Sequence, residues 1–172
     1  MNLHFRLLLT VLASRFKSKL SSFVETKTTF TVLPTDCHIP FFRLMCGGRY
    51  FDFMDAARVD QVSRLGILGL MRRDGLSINL GGQILRYRKP MKVFTRFTVS
   101  TKIIYWDDKF FYVEQKFEQN GIMKTEGLVQ GCFRGKPGVV PPAELLKRAG
   151  LKIERPALPE IVKWFQSQNT AQ

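Results

Sequence analysis

Histidine, cysteine and acid are all scarce in this chain, and each shortage narrows what it can be. Only two histidines, His4 and His38, occur among 172 residues, which argues against a histidine-rich metal centre. The three cysteines, Cys37, Cys46 and Cys132, match no CxxC metal or redox spacing, and an odd count argues against a secreted disulfide scaffold. A reduced, cytoplasmic setting is the plain expectation. Long hydrophobic runs are missing as well. The short, mostly apolar stretch Leu7 to Ala13 falls well below the roughly 20 residues that a bilayer span needs. Nor does it match a cleaved signal peptide, because Arg15, Lys17 and Lys19 follow the apolar run instead of preceding it.

Acid is outnumbered, 14 residues against 27 Lys and Arg, for a net charge of +13. Gly75 to Trp106 holds no acid, yet carries Arg86, Arg88, Lys89, Lys92, Arg96 and Lys102. Such a surface attracts polyanions, whether nucleic acid, anionic lipid or a phosphorylated ligand. Nucleic acid is disfavoured as a partner, since no binding motif is visible and the aromatics fall in apolar strand patterns. Charges spread along strands read first as solvated faces.

What is present is a core. With 45% hydrophobic residues and 15 Phe, the chain has the composition of one folded domain that needs no disulfide or metal. We expect a body over residues 22–135, an N-terminal extension over 1–21 and a C-terminal extension with short helices over 136–172. Phe5, Leu8, Leu9, Leu12 and Phe16 recur at helical spacing, which predicts an amphipathic N-terminal helix. Such a helix packs on the body, binds a partner, or lies peripherally on an anionic membrane. Packing is the first expectation.

Thr-rich Lys27 to Leu33 alternates like a half-buried strand, with Phe30 and Val32 on one side. Cys37 to Gly48 reads as a long loop, and Arg49 to Leu65 as a helix whose apolar residues cover more than one stripe. Leu68 to Met71 predicts another short turn. Strands follow over Ser77 to Lys89, Arg96 to Tyr105, Phe111 to Phe117 and Ile122 to Phe133. The Gly81-Gly82 pair signals a bulge or a close backbone approach. Phe97, Val99, Ile103 and Tyr105 are expected to share one face. Asn120-Gly121 is a type I′ hairpin signal, because both residues tolerate positive φ. Gly135 to Pro142 reads as a linker, with short helices over Ala143 to Ala149 and Glu160 to Gln166. One helix on one face of an antiparallel sheet is an α+β arrangement whose free edge predicts an oligomer.

That order, joined to VLPTD at Val32 to Asp36, MCGGRYFDFMDAARVD at Met45 to Asp60, WDDKFFYVEQKF at Trp106 to Phe117 and LVQGCFRG at Leu128 to Gly135, resembles the hot-dog-fold acyl-CoA thioesterases related to 4-hydroxybenzoyl-CoA thioesterase. The resemblance spans Ser22 to Gly150 and implies an antiparallel sheet wrapped around one long central helix. It also implies a homodimer or dimer of dimers, with an acyl-CoA or other acyl-thioester pocket between subunits. No cofactor is implied, coenzyme A being part of the substrate. Asp36 matches the family's active-site Asp, Tyr50 the Tyr at the start of the helix, and Arg58 the helix arginine. Asp55, the acid before the Ala-Arg pair, falls on the part of the helix that such enzymes line against the thioester. The family's His-Met-Asn-Asn word reads here Leu44-Met45-Cys46-Gly47, in a loop longer than usual, so the histidine and both amides are missing.

The implied reaction is thioester hydrolysis. Asp36 would activate water or attack the carbonyl. Backbone N–H groups near Gly48, Arg49 and Tyr50 would meet the oxyanion, and Gly47 and Gly48 would allow close approach. Asp55 and Arg58 would line the acyl site, and Arg86 and Arg88 would meet the coenzyme A phosphates. Duller roles stand beside these. Asp36 also reads as a turn cap, and Asp55 and Arg58, three residues apart, as a structural ion pair. Cys46 and His38 are weaker candidates for nucleophile and base. A non-catalytic acyl-thioester-binding or scaffold protein is the alternative, favoured by the lost polar word.

Overall fold

The computed structural model describes residues 3–14, 16–20, 25–37 and 43–169, with side chains left out for 3–6 and 169. His38 of the sequence reading lies outside the described residues. The elements run α1 (Leu3–Ser14), β1 (Thr26–Thr31), a 3-10 turn (Pro34–Asp36), α2 (Gly47–Arg64), α3 (Ile67–Asp74), β2 (Ser77–Tyr87), β3 (Arg96–Trp106), β4 (Phe111–Gln119), β5 (Ile122–Gly135), β6 (Gly138–Val140), α4 (Pro142–Arg148) and α5 (Glu160–Asn169). The sheet has the order β1-β3-β4-β5-β2, all antiparallel, with β6 added to β5. It curves around α2, which is the long central helix that the resemblance implies.

The apolar alternation of the strands supplies the concave face. Phe97, Val99, Phe111, Val113, Phe117 and Val129 all point inward and meet Phe53, Met54 and Ala57 of α2 in one core. The hairpin at Asn120-Gly121 forms as its sequence demands, with φ of 51° and 73°. The Gly81-Gly82 pair sits where the β2–β5 register shifts, between Leu80 and Gly82.

Four expectations are corrected. The linker over Gly135 to Pro142 contains β6, whose Val140 is buried against Phe133. The central helix starts at Gly47, so the two glycines belong to its first turn and not to the preceding loop. The short turn at Leu68 to Met71 is a full helix, α3, entered and left through Gly66 and Gly75 at positive φ. Tyr105 leaves the inward set because the β3–β4 register shifts between Ile103 and Tyr105, which sends it to the convex face beside Tyr112.

That convex face carries its own smaller apolar layer. Tyr112 and Leu128 of the sheet meet Val162 and Phe165 of α5, with Ile84, Ile104 and Leu158 around them. A buried polar cluster fixes the contact. The Tyr112 hydroxyl donates to Asp107 Oδ2 at 2.8 Å and accepts from Gln130 Nε2 and Gln166 Nε2, each at 3.0 Å.

Helix α1 packs on α2, but through its small polar side. Thr10 and Ser14 are buried, the Ser14 hydroxyl bonds Ser63 Oγ at 2.7 Å, and Lys17 Nζ reaches both oxygens of the buried Asp60 at 3.0 Å. Leu8, Leu9, Leu12 and Phe16 of the predicted apolar stripe face outward.

Candidate active site

The first cluster forms where the chain enters α2. After β1 the 3-10 turn places Asp36 so that its Oδ2 accepts the Leu33 N–H at 2.8 Å, while its backbone carbonyl accepts the Cys46 N–H at 2.9 Å. The residue is only 2% exposed. Arg49, on the first turn of α2, stands over it with Nε 3.8 Å from Asp36 Oδ1, an electrostatic contact too long for a hydrogen bond. The rest of the Arg49 guanidinium is divided between Asp52 Oδ2 at 2.7 Å and the Thr35 carbonyl at 3.3 Å. Hydrogen bonding to Asp52, partly opposed by burial, keeps Arg49 firmly protonated. The Met45 N–H donates to the Met91 carbonyl and the Val93 N–H to the Arg43 carbonyl, so residues 43–45 are anchored on the segment before β3, and Cys37 bridges to Met45.

No side-chain bond caps this helix terminus at Cys46. Its first-turn N–H groups carry the partial positive charge of a helix N-terminus. A side chain at Gly48 would meet none of the described residues within 4 Å, so among them the backbone there is open to approach. At Gly47 the Tyr87 hydroxyl of β2 lies alongside and donates to the Gly47 carbonyl at 3.4 Å. Tyr50 meets Tyr87 edge-on with ring centroids 5.0 Å apart, and burial pushes its phenol up. Burial, reinforced by the Asp36 charge, also pushes the Cys37 thiol up, which makes it a poor nucleophile.

The second cluster lies two to three turns along, about 12 Å from Gly47 by helical rise. Here α2 and strands β2, β4 and β5 enclose an apolar cavity of about 370 Å³, walled by Ile78, Leu80, Val113, Val129 and Phe133 and reached by Leu7 of α1. Asp55 and Arg58 form an ion pair on its wall. The Asp55 carboxylate is 48% exposed, whereas Arg58 is nearly buried and burial lowers its pKa against the pull of Asp55. Arg58 Nη1 donates to Gln115 Oε1 at 2.6 Å, and Gln115 Nε2 donates to the Met54 carbonyl and to Thr101 Oγ1, both at 3.0 Å. Gln61 completes the network by donating to the Thr101 carbonyl at 3.0 Å. Sequence reasoning passed over Gln115. Its signal was available, as a glutamine in the same alternation register as Phe111, Val113 and Phe117.

The chain therefore brings Asp36, Gly47, Gly48, Arg49 and Tyr50 together, and sets Asp55 and Arg58 on the adjoining cavity. It does not bring Arg86 and Arg88 into either cluster. Tyr87 points at the helix, so its neighbours project from the convex side, where Arg88 Nη2 bonds Glu126 Oε1 at 2.6 Å and Arg86 lies 3.8 Å from the same oxygen. Among the described residues, no three His, Cys, Asp or Glu side chains gather as a metal site would require.

The sequence model of the thioesterase-like superfamily matches residues 32–143, the stretch that holds both clusters. The chain belongs to this superfamily. Its fold is the hot-dog fold. Among superfamily relatives, the protein THEM6 of Drosophila melanogaster is 29% identical over 170 residues, covering 96% of this chain and 86% of its own. THEM6 of Xenopus laevis is 29% identical over 144 residues, covering 81% of this chain and 67% of its own. A 1,4-dihydroxy-2-naphthoyl-CoA thioesterase from Synechocystis superposes with a TM-score of 0.62 at 11% identity, over 73% of this chain and 95% of that one.

Proposed function

We propose that this protein hydrolyses acyl-CoA thioesters, with a fatty or aromatic acyl group held in the cavity between α2 and β2. The observation that carries this reading is the apolar cavity itself, of a size suited to a small-molecule acyl group, placed two to three turns along α2 from the N-terminus of that helix. In this reading the thioester carbonyl sits at the first turn of α2, where the Gly48 N–H stabilises the oxyanion, the Arg49 N–H being donated to the Cys46 carbonyl at 3.0 Å. Asp36 takes a proton from the water that attacks the carbonyl. The C–S bond breaks as the oxyanion collapses to the free acid, and the proton passes from Asp36 to the departing sulfur, so that coenzyme A leaves as the thiol. Arg49 orients Asp36.

A second copy completes the site. Strand β2 is an edge strand of 11 residues, and its exposed Ile78 and Leu80 also wall the cavity. Pairing of β2 with the same strand of a partner would close that wall and satisfy the free edge. Leu80→Arg is expected to yield monomers in sedimentation; an unchanged dimer would remove β2 from the interface.

Binding without hydrolysis is the second reading, favoured by the enclosure of Asp36 and the bond its carboxylate already makes to Leu33. The test is hydrolysis of an acyl-CoA panel, from acetyl to palmitoyl and including benzoyl, by the wild type and by Asp36→Asn, which keeps an acceptor for the Leu33 N–H. Turnover that drops at least about 100-fold in the variant supports the hydrolase and the role of Asp36. Equal turnover moves the base elsewhere, with Asp55 next. Tight acyl-CoA binding with no turnover in either protein selects the second reading.

A further inference from the structure

A surface helix of a water-soluble protein turns its apolar stripe inward and its polar side to solvent. Helix α1 turns only part of its apolar surface inward, with Leu7 reaching the cavity wall while Leu8, Leu9 and Leu12 stay exposed. Its buried contacts are Thr10 and Ser14, and it is held in that rotation by the Ser14–Ser63 bond and by the two Lys17–Asp60 contacts. The leucines therefore cannot roll under without breaking a charge contact to a fully buried carboxylate. Leu8, Leu9 and Leu12 are left 44–54% exposed, and Phe16, just beyond the helix, is 92% exposed. These four fall together along one side of a helix about 18 Å long. Exposed apolar residues that cluster in this way mark a contact surface.

The charge around the patch selects the occupant. Residues 1–24 contain Arg6, Arg15, Lys17 and Lys19 and no Asp or Glu. An apolar stripe on a segment whose charged residues are all cationic is complementary to an anionic bilayer, where leucine and phenylalanine enter the acyl boundary and lysine and arginine stay at the headgroups. Among the described residues no helix is long and apolar enough to cross a membrane, so the contact is one of lying on the surface.

We infer that α1 docks the protein onto an anionic lipid surface through Leu8, Leu9, Leu12 and Phe16. This holds whether or not the chain hydrolyses thioesters. Because Leu7 of the same helix reaches the cavity wall, docking sets that cavity beside the bilayer. Where the hydrolase reading also holds, the favoured substrates are long-chain acyl thioesters that partition into lipid.

The experiment is flotation of the full chain with phosphatidylcholine vesicles, with and without phosphatidylserine, comparing wild type with the triple variant L8Q/L9Q/L12Q and with K19Q. Glutamine keeps the helix and leaves the net charge unchanged. The wild type is expected to float with the phosphatidylserine vesicles only. The triple variant is expected to partition roughly 100-fold more weakly at an unchanged melting temperature, and K19Q about fivefold more weakly. A wild type that stays behind overturns the inference. So does equal flotation of the triple variant, which would assign binding to the general charge of +13. If the triple variant instead turns a dimer into monomers while flotation is unaffected, the face joins copies of this chain and the inference fails. Flotation reads lipid contact and the acyl-CoA panel reads hydrolysis, so either idea can fail alone.

Discussion

Replacing Gln115 by leucine puts a side chain of similar size at a position with no solvent access, and so isolates what its amide does. Three bonds disappear, one accepted from Arg58 at 2.6 Å and two donated, to the Met54 carbonyl and Thr101 Oγ1 at 3.0 Å. The bond to the guanidinium is charge-assisted and nearly buried, so its loss costs about 2 kcal/mol, with about 1 kcal/mol more for the two neutral bonds together. The expected loss of about 3 kcal/mol, read from urea denaturation, corresponds to a fall in Tm of roughly 6–12 °C for a chain of this size. Most of that loss comes from leaving Arg58 short of a partner. Arg58→Met combined with Gln115→Leu should therefore cost less than the sum of the single changes, by about 2 kcal/mol. The half-exposed Asp55 tolerates losing its ion pair because water reaches it. A loss under about 1 kcal/mol for Gln115→Leu, or strict additivity in the double variant, would show that Arg58 is satisfied by other groups and refute the network.

Two further changes probe the sheet. Tyr112→Phe removes the acceptor that Gln130 Nε2 and Gln166 Nε2 share and one of the donors to Asp107, and should cost about 1–3 kcal/mol by urea denaturation. Burial, with the Asp107 charge adding to it, pushes the Tyr112 phenol above its ordinary 10.0, so the folded state holds its proton longer than the unfolded chain. That contribution is complete below the unfolded value and lost as pH rises through the folded one. Wild-type stability should accordingly fall more steeply than that of Tyr112→Phe as pH rises above about 10, and parallel curves would count against this assignment. Gly127→Ala would place a methyl 2.7 Å from Leu85 Cδ2, 2.9 Å from the Ile84 carbonyl and 3.1 Å from Met54 Cε. The backbone oxygen cannot swing aside, so a loss of about 2 kcal/mol is expected by thermal melting, and a neutral result would mean that β2 can part from β5 at this point.

Local signals carried far into the structure where one face of an element met one environment. Alternation placed Phe97, Val99, Phe111, Val113 and Phe117 on the core side, and the Asn-Gly pair fixed the β4–β5 turn. Periodicity failed where tertiary contact chose between faces. The leucines of α1 have helical spacing, but the buried Asp60 of α2 needs Lys17, and that pairing sets the rotation of the whole helix. Tyr105 alternated correctly until a bulge two residues earlier moved it across the sheet. In the candidate site, Asp36 and the helix entrance could be placed from their resemblance to a known pattern, whereas the partners of Arg58 come from β4, far along the chain. No spacing rule links residues 58 and 115. A polar residue on an otherwise apolar register is the only trace that such a link leaves.

The glycine pair in β2 has a consequence for how this sequence can change. A side-chain carbon at Gly81 would stand 2.7 Å from Gln130 Oε1 and 3.0 Å from Phe110, and one at Gly82 would stand 3.0 Å from the ring of Phe165 in α5. The bareness of the strand is thus the seat of the C-terminal helix. While Phe165 stays, Gly82 has little room to acquire a side chain, and a larger residue there gains a foothold only after the ring has shrunk or the helix has been lost. Two positions 83 residues apart in the sequence are bound into one heritable unit, in which the order of mutations decides which lineages stay folded.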